Sequence, residues 1–352
     1  MTASKNTYVF ITGAGRCGTT LTRSLLDGTE GLNVFPGEIS NFLGFFLRES
    51  ANSRKLNIAQ NIENVLRHFS ELVFHDPDYE DTRNRITAQL QSIVDSGQHE
   101  VDPTQFLDAM NDAFFSNENS TTLVDVTNEN ISGYLDHFPG SRVVHLLRHP
   151  MEQLNSHYRF RFADPNIGAH LPSASKWEFG DGFYRIYKSF REAVAHKNNE
   201  RVHLVKLEDL QNNPVDVVTQ ILNFIGFEYS PINNQITRRG KSHDAGSTQK
   251  SVREMFVSEP DWSCLSNNDR YMLDQFSTLT RNFYEIPEQA YAANPYFPFL
   301  LRQLGLRGKK RKGLRNPIRF IRILLLSIGQ YQQDVSKKRY FSKEVQRFLG
   351  HS

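Results

Sequence analysis

The sequence predicts an α/β protein of three layers, α/β/α, with a central parallel sheet and a helical insertion after its first strand-helix unit. Three observations carry this. An unbroken apolar run, Tyr8-Val9-Phe10-Ile11, is followed at once by the glycine-rich Gly13-Ala14-Gly15 and then by a short helical pattern. Further strand-like runs return after residue 120 and alternate with helices. A strand that is apolar on every residue suits a sheet covered on both faces, and a repeated strand-helix-strand order demands right-handed crossovers and parallel pairing.

The first helix is expected from about Gly18 to Asp27, with Leu21 and Leu25 on one face and Gly28 as its C-terminal stop. Phe35-Pro36-Gly37-Glu38 places a carboxylate just after the second strand-like run beyond the loop. From Asn41 to Phe115 apolar residues recur at helical spacing (Phe42, Phe45, Phe46; Leu66, Phe69, Leu72, Val73; Phe106, Met110, Phe114), interrupted by Pro77 and Pro103, which reads as a helical insertion. Strands follow at Thr122–Val126, Arg142–Leu147 and Val202–Val205. Asn213-Pro214 opens another helix, with Asn as N-cap and Pro at the first helical position, and Gly226 closes it.

With 352 residues the chain can bury a real core without disulfides, and it holds only two cysteines, Cys17 and Cys264. No apolar stretch opens the sequence and no window approaches the ~18 uninterrupted apolar residues of a spanning helix, the nearest being Ile318 to Ile328. A soluble protein of a reducing, cytoplasmic compartment is expected. The net charge of +2 is unevenly spread, because Leu306 to Gln330 carries eight Lys/Arg and no acid. Taking those eight from +2 leaves the rest of the chain at −6. A general nucleic-acid binder, whose basic footprint would spread over the folded domain, is therefore not expected.

Gly13-Ala14-Gly15-Arg16-Cys17-Gly18-Thr19-Thr20 has the spacing of a P-loop: glycine, four residues, glycine, and a hydroxyl residue two places later. Glycines let successive backbone N–H groups turn inward, and the helix N-terminus adds about half a positive charge, so together they hold an anion. A nucleoside triphosphatase needs Lys directly after the second glycine, and here that place is Thr19, while the cation sits inside the loop at Arg16. The alternative of a chemically idle glycine turn fits less well with a cation and paired threonines at a strand-to-helix junction.

On these residues, Gly15-Arg16-Cys17-Gly18-Thr19-Thr20-Leu21 resembles the 5'-phosphosulfate loop of sulfotransferases that use 3'-phosphoadenosine-5'-phosphosulfate (PAPS), in which a Lys or Arg and usually a Ser precede Gly-Thr-Thr. Cys17 departs from the Ser, which removes a hydroxyl contact and keeps the backbone geometry. Its alternative reading is a small buried thiol. Arg148-His149-Pro150, with Ser156 eight residues after the Arg, resembles the family's 3'-phosphate motif, and Phe138-Pro139-Gly140 matches its lead-in. At 100° per residue Met151, Leu154, Tyr158 and Phe162 form one stripe and Ser156 faces away from it. An Arg at the carboxyl end of a parallel strand lies where open α/β sheets bind ligands. Lys206-Leu207-Glu208-Asp209-Leu210, with Pro214 and Phe224-Ile225-Gly226, is similar to a segment that closes the sheet in the family, and its acids are read as structural. Arg239-Gly240-Lys241 and Lys250 to Arg253, ahead of Trp262, stand where the family has a mobile basic loop; a solvated charge run is the competing reading.

The resemblance implies a sulfotransferase domain over residues 1–305, with its insertion at about 41–115, followed by a basic helical tail over 306–352. It implies PAPS as cosubstrate and transfer to a hydroxyl of a glycan, a peptide tyrosine or a small molecule. Cofactor contacts would fall to Gly15, Arg16, Cys17, Gly18, Thr19, Thr20, Arg148 and Ser156. The transition state is loose and charge-spreading by analogy with phosphoryl transfer, so alignment and charge stabilisation do most of the work and no metal is expected; nor does the sequence carry a zinc spacing. Glu38 is the candidate general base and resembles the Gly-Glu of the carbohydrate and tyrosylprotein branches; the alternative is an N-cap for a helix at Asn41. Arg16 carries transition-state charge. Where relatives often have Asp-Lys-Thr-Pro, this chain reads Asp125-Val126-Thr127-Asn128, so that Lys is missing, and Arg16 would carry the charge alone or with help from Lys206 or another basic group. Two rivals stay open at this point, an atypical kinase using Arg16 and a nucleotide-binding protein without turnover.

In the tail, Lys309-Lys310-Arg311-Lys312 leads into Arg315, Arg319 and Arg322 on one helical face, with Ile318, Ile321, Leu325 and Ile328 on another. Such a helix can lie in an anionic membrane surface, dock on its own domain, or capture a polyanionic acceptor.

Overall fold

The computed structural model describes residues 6–39, 56–57, 79–97, 100–115, 120–126, 128–150, 152–153, 156, 175–238 and 241–242. The chain divides into two units, one of Met1–Arg148 with Arg191–Ser258 and one of His149–Phe190 with Glu259–Ser352. The parallel sheet lies wholly within the first.

In chain order the described elements begin with β1 (Thr7–Thr12), α1 (Thr19–Leu26), β2 (Leu32–Glu38), β3 (Leu56–Asn57), α2 (Tyr79–Asp95), β4 (Glu100–Val101), α3 (Pro103–Phe114) and β5 (Thr121–Val126). They continue with α4 (Ile131–His137), β6 (Arg142–Leu147), α5 (Ser175–His196), β7 (Val202–Lys206), α6 (Leu207–Asn212), α7 (Pro214–Ile225), β8 (Thr237–Arg238) and β9 (Lys241–Ser242). Five strands form one sheet in the order β2-β5-β1-β6-β7, and every pairing in it is parallel. The expected α/β fold with a central parallel sheet is the one found. No described helix is long and apolar enough to cross a membrane.

The unbroken apolar reading of β1 is explained by its two covered faces. Tyr8 and Phe10 join Val124, Val126 and Val143 in one buried cluster with Leu90, Phe106, Met110 and Tyr134. Val9 and Ile11 join Leu123, Val144 and Leu146 in the other, with Leu25 of α1 and Ile221 of α7. Each fully buried side chain of this size contributes roughly 1.5–3 kcal/mol. Two such layers offset the buried polar groups the sheet also carries, among them Asp125 and the Thr12–His145 hydrogen bond of 2.7 Å.

Three local expectations change. The insertion is not wholly helical, because β3 and β4 pair as a two-residue antiparallel ladder. Asn213 precedes α7 as foreseen, yet its side chain makes no capping bond; its backbone N–H instead closes α6 on Asp209 O at 2.8 Å. Side-chain caps form elsewhere, among them at α3, where Asp102 and Gln105 make a reciprocal capping box that the sequence pattern did not bring to notice, and at α4, where Asn130 accepts from the N–H of Gly133. Gly226 ends α7 in the left-handed conformation, as a C-terminal stop should.

Candidate active site

β1 lies at the middle of the sheet, and the chain leaves it for β2 and β5 on one side and for β6 and β7 on the other. Its carboxyl end is therefore the topological switch point, the place where an open α/β sheet forms a crevice. The loop after β1 is built for close approach. A Cβ on Gly13 would stand 2.7 Å from the carbonyl oxygen of Leu146 and 2.5 Å from Cys17 Sγ, so only glycine fits between β1 and β6. Gly18 caps α1 at φ 100, and Arg16 holds a left-handed φ of 70, a strained conformation for a residue with a Cβ. No acid stands in the first turn of α1, so the positive end of that helix is not neutralised by a carboxylate of its own first turn.

Thr19 is buried and Thr20 exposed, while Arg16 reaches solvent. Arg148 follows β6 and is half-buried; its Nη1 donates to the carbonyl oxygen of Arg16 at 3.2 Å. The pKa of Arg16 is lowered, first by partial burial and then by the nearby charge of Arg148. Two guanidinium-bearing residues predicted from motifs 132 positions apart thus meet at one edge of the sheet. Ser156 and His149 belong to the other unit, and both are half-buried. Pro150 is helical, as expected of a first-turn proline.

Cys17 is buried, and desolvation pushes its thiol up to about 12. A thiol so placed is neutral and inert, which agrees with packing rather than redox work. Val126 is fully buried in the cluster with Phe10 and Tyr134, so the position where relatives often carry Lys is turned into the core.

Glu38 is the last residue of β2, inside the strand rather than beyond it. The register explains how it gets there: Val34 pairs with Leu123 but Glu38 pairs with Asp125, so four steps along β2 match two along β5. The surplus is taken up around Phe35-Pro36-Gly37, where Pro36 has no N–H to give to a ladder. After this irregularity the N–H of Ile39 donates to Asp125 O at 3.1 Å. Glu38 is half-buried.

Sequence reasoning missed Arg23. It sits one turn after Thr19 on α1, and its Nη1 donates to Asp125 Oδ2 at 3.1 Å. Asp125 is fully buried, and desolvation raises its pKa to about 6 against the opposing attraction of Arg23. One signal was available in the sequence, the lone acid Asp125 in a strand-like run otherwise made of Thr, Leu and Val. The Ser40 and Asn41 positions, Thr127, Arg239 to Gly240, Lys250 to Arg253, Trp262, Cys264 and the whole tail lie outside the described residues.

A parallel sheet whose switch point carries a glycine-rich loop of P-loop spacing, flanked by two arginines and the carboxylate of Glu38, defines the P-loop-like α/β class. A family model described as "Sulfotransferase family" matches residues 9–231, and the chain belongs to that family. No curated protein matches the chain. A sulfotransferase domain from the curacin biosynthetic pathway is similar at 16% identity with a TM-score of 0.48, over 81% of this chain and 100% of that one. The sulfotransferase domain of the Synechococcus PCC 7002 olefin synthase is similar at 16% identity with a TM-score of 0.47, over 81% and 97%. A mouse sulfotransferase complexed with PAP is similar at 12% identity with a TM-score of 0.43, over 78% and 85%.

Proposed function

We propose that this protein transfers the sulfuryl group of PAPS to the hydroxyl of an acceptor. The observation that carries the reading is the meeting of Arg148 Nη1 with Arg16 O, which brings two cationic side chains to the mouth of one anion loop. A nucleotide phosphorylated at both its 5' and 3' positions is the ligand chemistry that two such cations suit. In this reading the loop amides, Arg16, Gly18, Thr19 and Thr20 hold the 5' side, and Arg148 holds the 3' phosphate.

Glu38 accepts the proton of the attacking hydroxyl as the new S–O bond forms at the acceptor oxygen and the bond from sulfur to the 5'-phosphate oxygen breaks. Arg16 stabilises the charge that gathers on that phosphate, which departs as part of 3'-phosphoadenosine-5'-phosphate. With Val126 buried in the core, Arg16 carries this load alone or with Lys206, at the end of β7, or another basic group beside it. A carboxylate in the base position supports carbohydrate or tyrosine hydroxyls as first-rank acceptors, ahead of small phenols and lipids. The eight Lys/Arg of residues 306–330 supply positive charge for an anionic membrane surface; co-sedimentation with anionic vesicles, with and without residues 306–352, tests that part.

The deciding assay is transfer of labelled sulfate from PAPS to pooled glycan, peptide and phenol acceptors. Label on one pool, with Glu38→Gln inactive, supports the reading. Magnesium-dependent phosphoryl transfer from ATP in its place contradicts it.

A further inference from the structure

Asp125 is the point where three parts of the site touch. From α1, Arg23 donates to its Oδ2 at 3.1 Å, and the Thr19 hydroxyl hydrogen-bonds the same carboxylate. From β2, Glu38 stands opposite it in the strand register, and the next N–H, that of Ile39, donates to its carbonyl. Its remaining oxygen, Oδ1, is buried and has no hydrogen-bond partner among the described residues. A fully buried acid inside an otherwise apolar strand is costly, and an apolar residue with an apolar partner in place of Arg23 would commonly serve stability as well or better. The pair is therefore poorly explained by stability alone, whereas its position between the anion loop and the edge carboxylate gives it a use.

We propose that Asp125 is a positioning residue for transfer: anchored by Arg23, its ionised carboxylate holds the Thr19 end of the anion loop, while its main-chain carbonyl pairs with the end of β2 that carries Glu38, so one residue sets both segments. This rests on the proposed sulfuryl transfer for its consequence in turnover, and on geometry alone for the coupling.

Ionised Asp125 binds Arg23 as an ion pair and accepts from Thr19; protonated, it loses the ion pair and part of its acceptor strength, and the Thr19 end of the loop is loosened from the residue whose main chain pairs with β2. The charged or titratable groups that face it are Arg23 from α1, Glu38 from β2, Cys17 from the loop and Tyr134 from α4, with Glu129 ahead of α4 acting on Tyr134. Its neighbour in β1 is the apolar Ile11. Burial has already brought its titration to about 6, within reach of an ordinary pH profile.

The coupling is read first without turnover, by a 13C NMR titration of the Asp125 carboxyl in the full chain. Arg23→Gln, which removes the attracting cation, moves the midpoint up by about one pH unit, and Glu38→Gln, which removes the repelling anion, moves it down. Arg23→Lys returns it toward the wild-type value. A midpoint indifferent to Glu38→Gln overturns the proposal whatever the transfer assay gives. The second readout is the acid limb of kcat: it follows the Asp125 midpoint upward in Arg23→Gln, and in Asp125→Asn the contribution of Asp125 to it is lost while kcat falls at least about tenfold with affinity for 3'-phosphoadenosine-5'-phosphate kept within about threefold. Lowered kcat with an unmoved limb in Arg23→Gln shows a merely structural pair and overturns it too. Wild-type protein that transfers no sulfate while the NMR shifts appear contradicts the proposed function and leaves the coupled anchor standing.

Discussion

Arg148 donates from Nη1 to the main-chain carbonyl of Arg16 at 3.2 Å, so the second cation of the site is fastened to the backbone that carries the first. The two side chains nevertheless serve different ends of the nucleotide in the proposed reading. Arg16→Ala is expected to weaken adenosine 5'-phosphate and 3'-phosphoadenosine-5'-phosphate alike, each by roughly tenfold or more, the loss of one charge-assisted hydrogen bond. Calorimetric titration of both ligands checks it, and a loss confined to one of them contradicts the assignment of Arg16 to the 5' side.

Glu38→Gln keeps the size and register of the last residue of β2 and removes only the ability to take a proton. Turnover is expected to fall by a factor of about 10² to 10⁴, the usual range for a general base, with nucleotide affinity unchanged. Steady-state rates alongside binding titrations measure the two separately. Undiminished turnover removes Glu38 from the mechanism.

Gly13→Ala places a Cβ 2.7 Å from Leu146 O, a backbone atom that cannot swing aside. Overpacking of this kind costs about 1–3 kcal/mol, and here the strain falls on the junction of β1 with the anion loop. Denaturant unfolding should show the loss, accompanied by weaker nucleotide binding. A variant as stable as the wild type would contradict this close approach of the loop to β6.

Cys17 should resist alkylation. With its thiol pushed to about 12 by burial, the thiolate is on the order of one part in ten thousand at pH 8, and the sulfur is shielded from solvent. Peptide mapping after iodoacetamide treatment of the native protein is expected to find Cys17 unmodified and to find it labelled after denaturation. Ready native labelling contradicts the buried placement.

The strands of the sheet and the anion loop were legible because their signals are local. Tyr8 to Ile11 announces a strand covered on both faces, Gly13 to Thr20 announces the loop, and Arg148 with Pro150 marks the next strand-to-helix junction. What escaped notice depends on pairing across the chain. The irregular register of β2 that seats Glu38 opposite Asp125 cannot be read from Phe35-Pro36-Gly37 alone, since it is defined only against β5. Arg23 looks like an ordinary helix cation until β5 places a buried acid within 3.1 Å. The β3–β4 ladder, two residues long, is too short for any periodicity to show.

Recognition of a 3'-phosphate by Arg148 is the step on which the proposed function turns, and paired binding measurements test it directly. Wild-type protein and Arg148→Ala are each titrated with 3'-phosphoadenosine-5'-phosphate and with adenosine 5'-phosphate. The expected result is a clear preference of the wild type for the bisphosphate, lost in the variant, whose affinity for adenosine 5'-phosphate is little changed. Equal losses for both ligands, or a wild type that never distinguished them, would contradict the central claim.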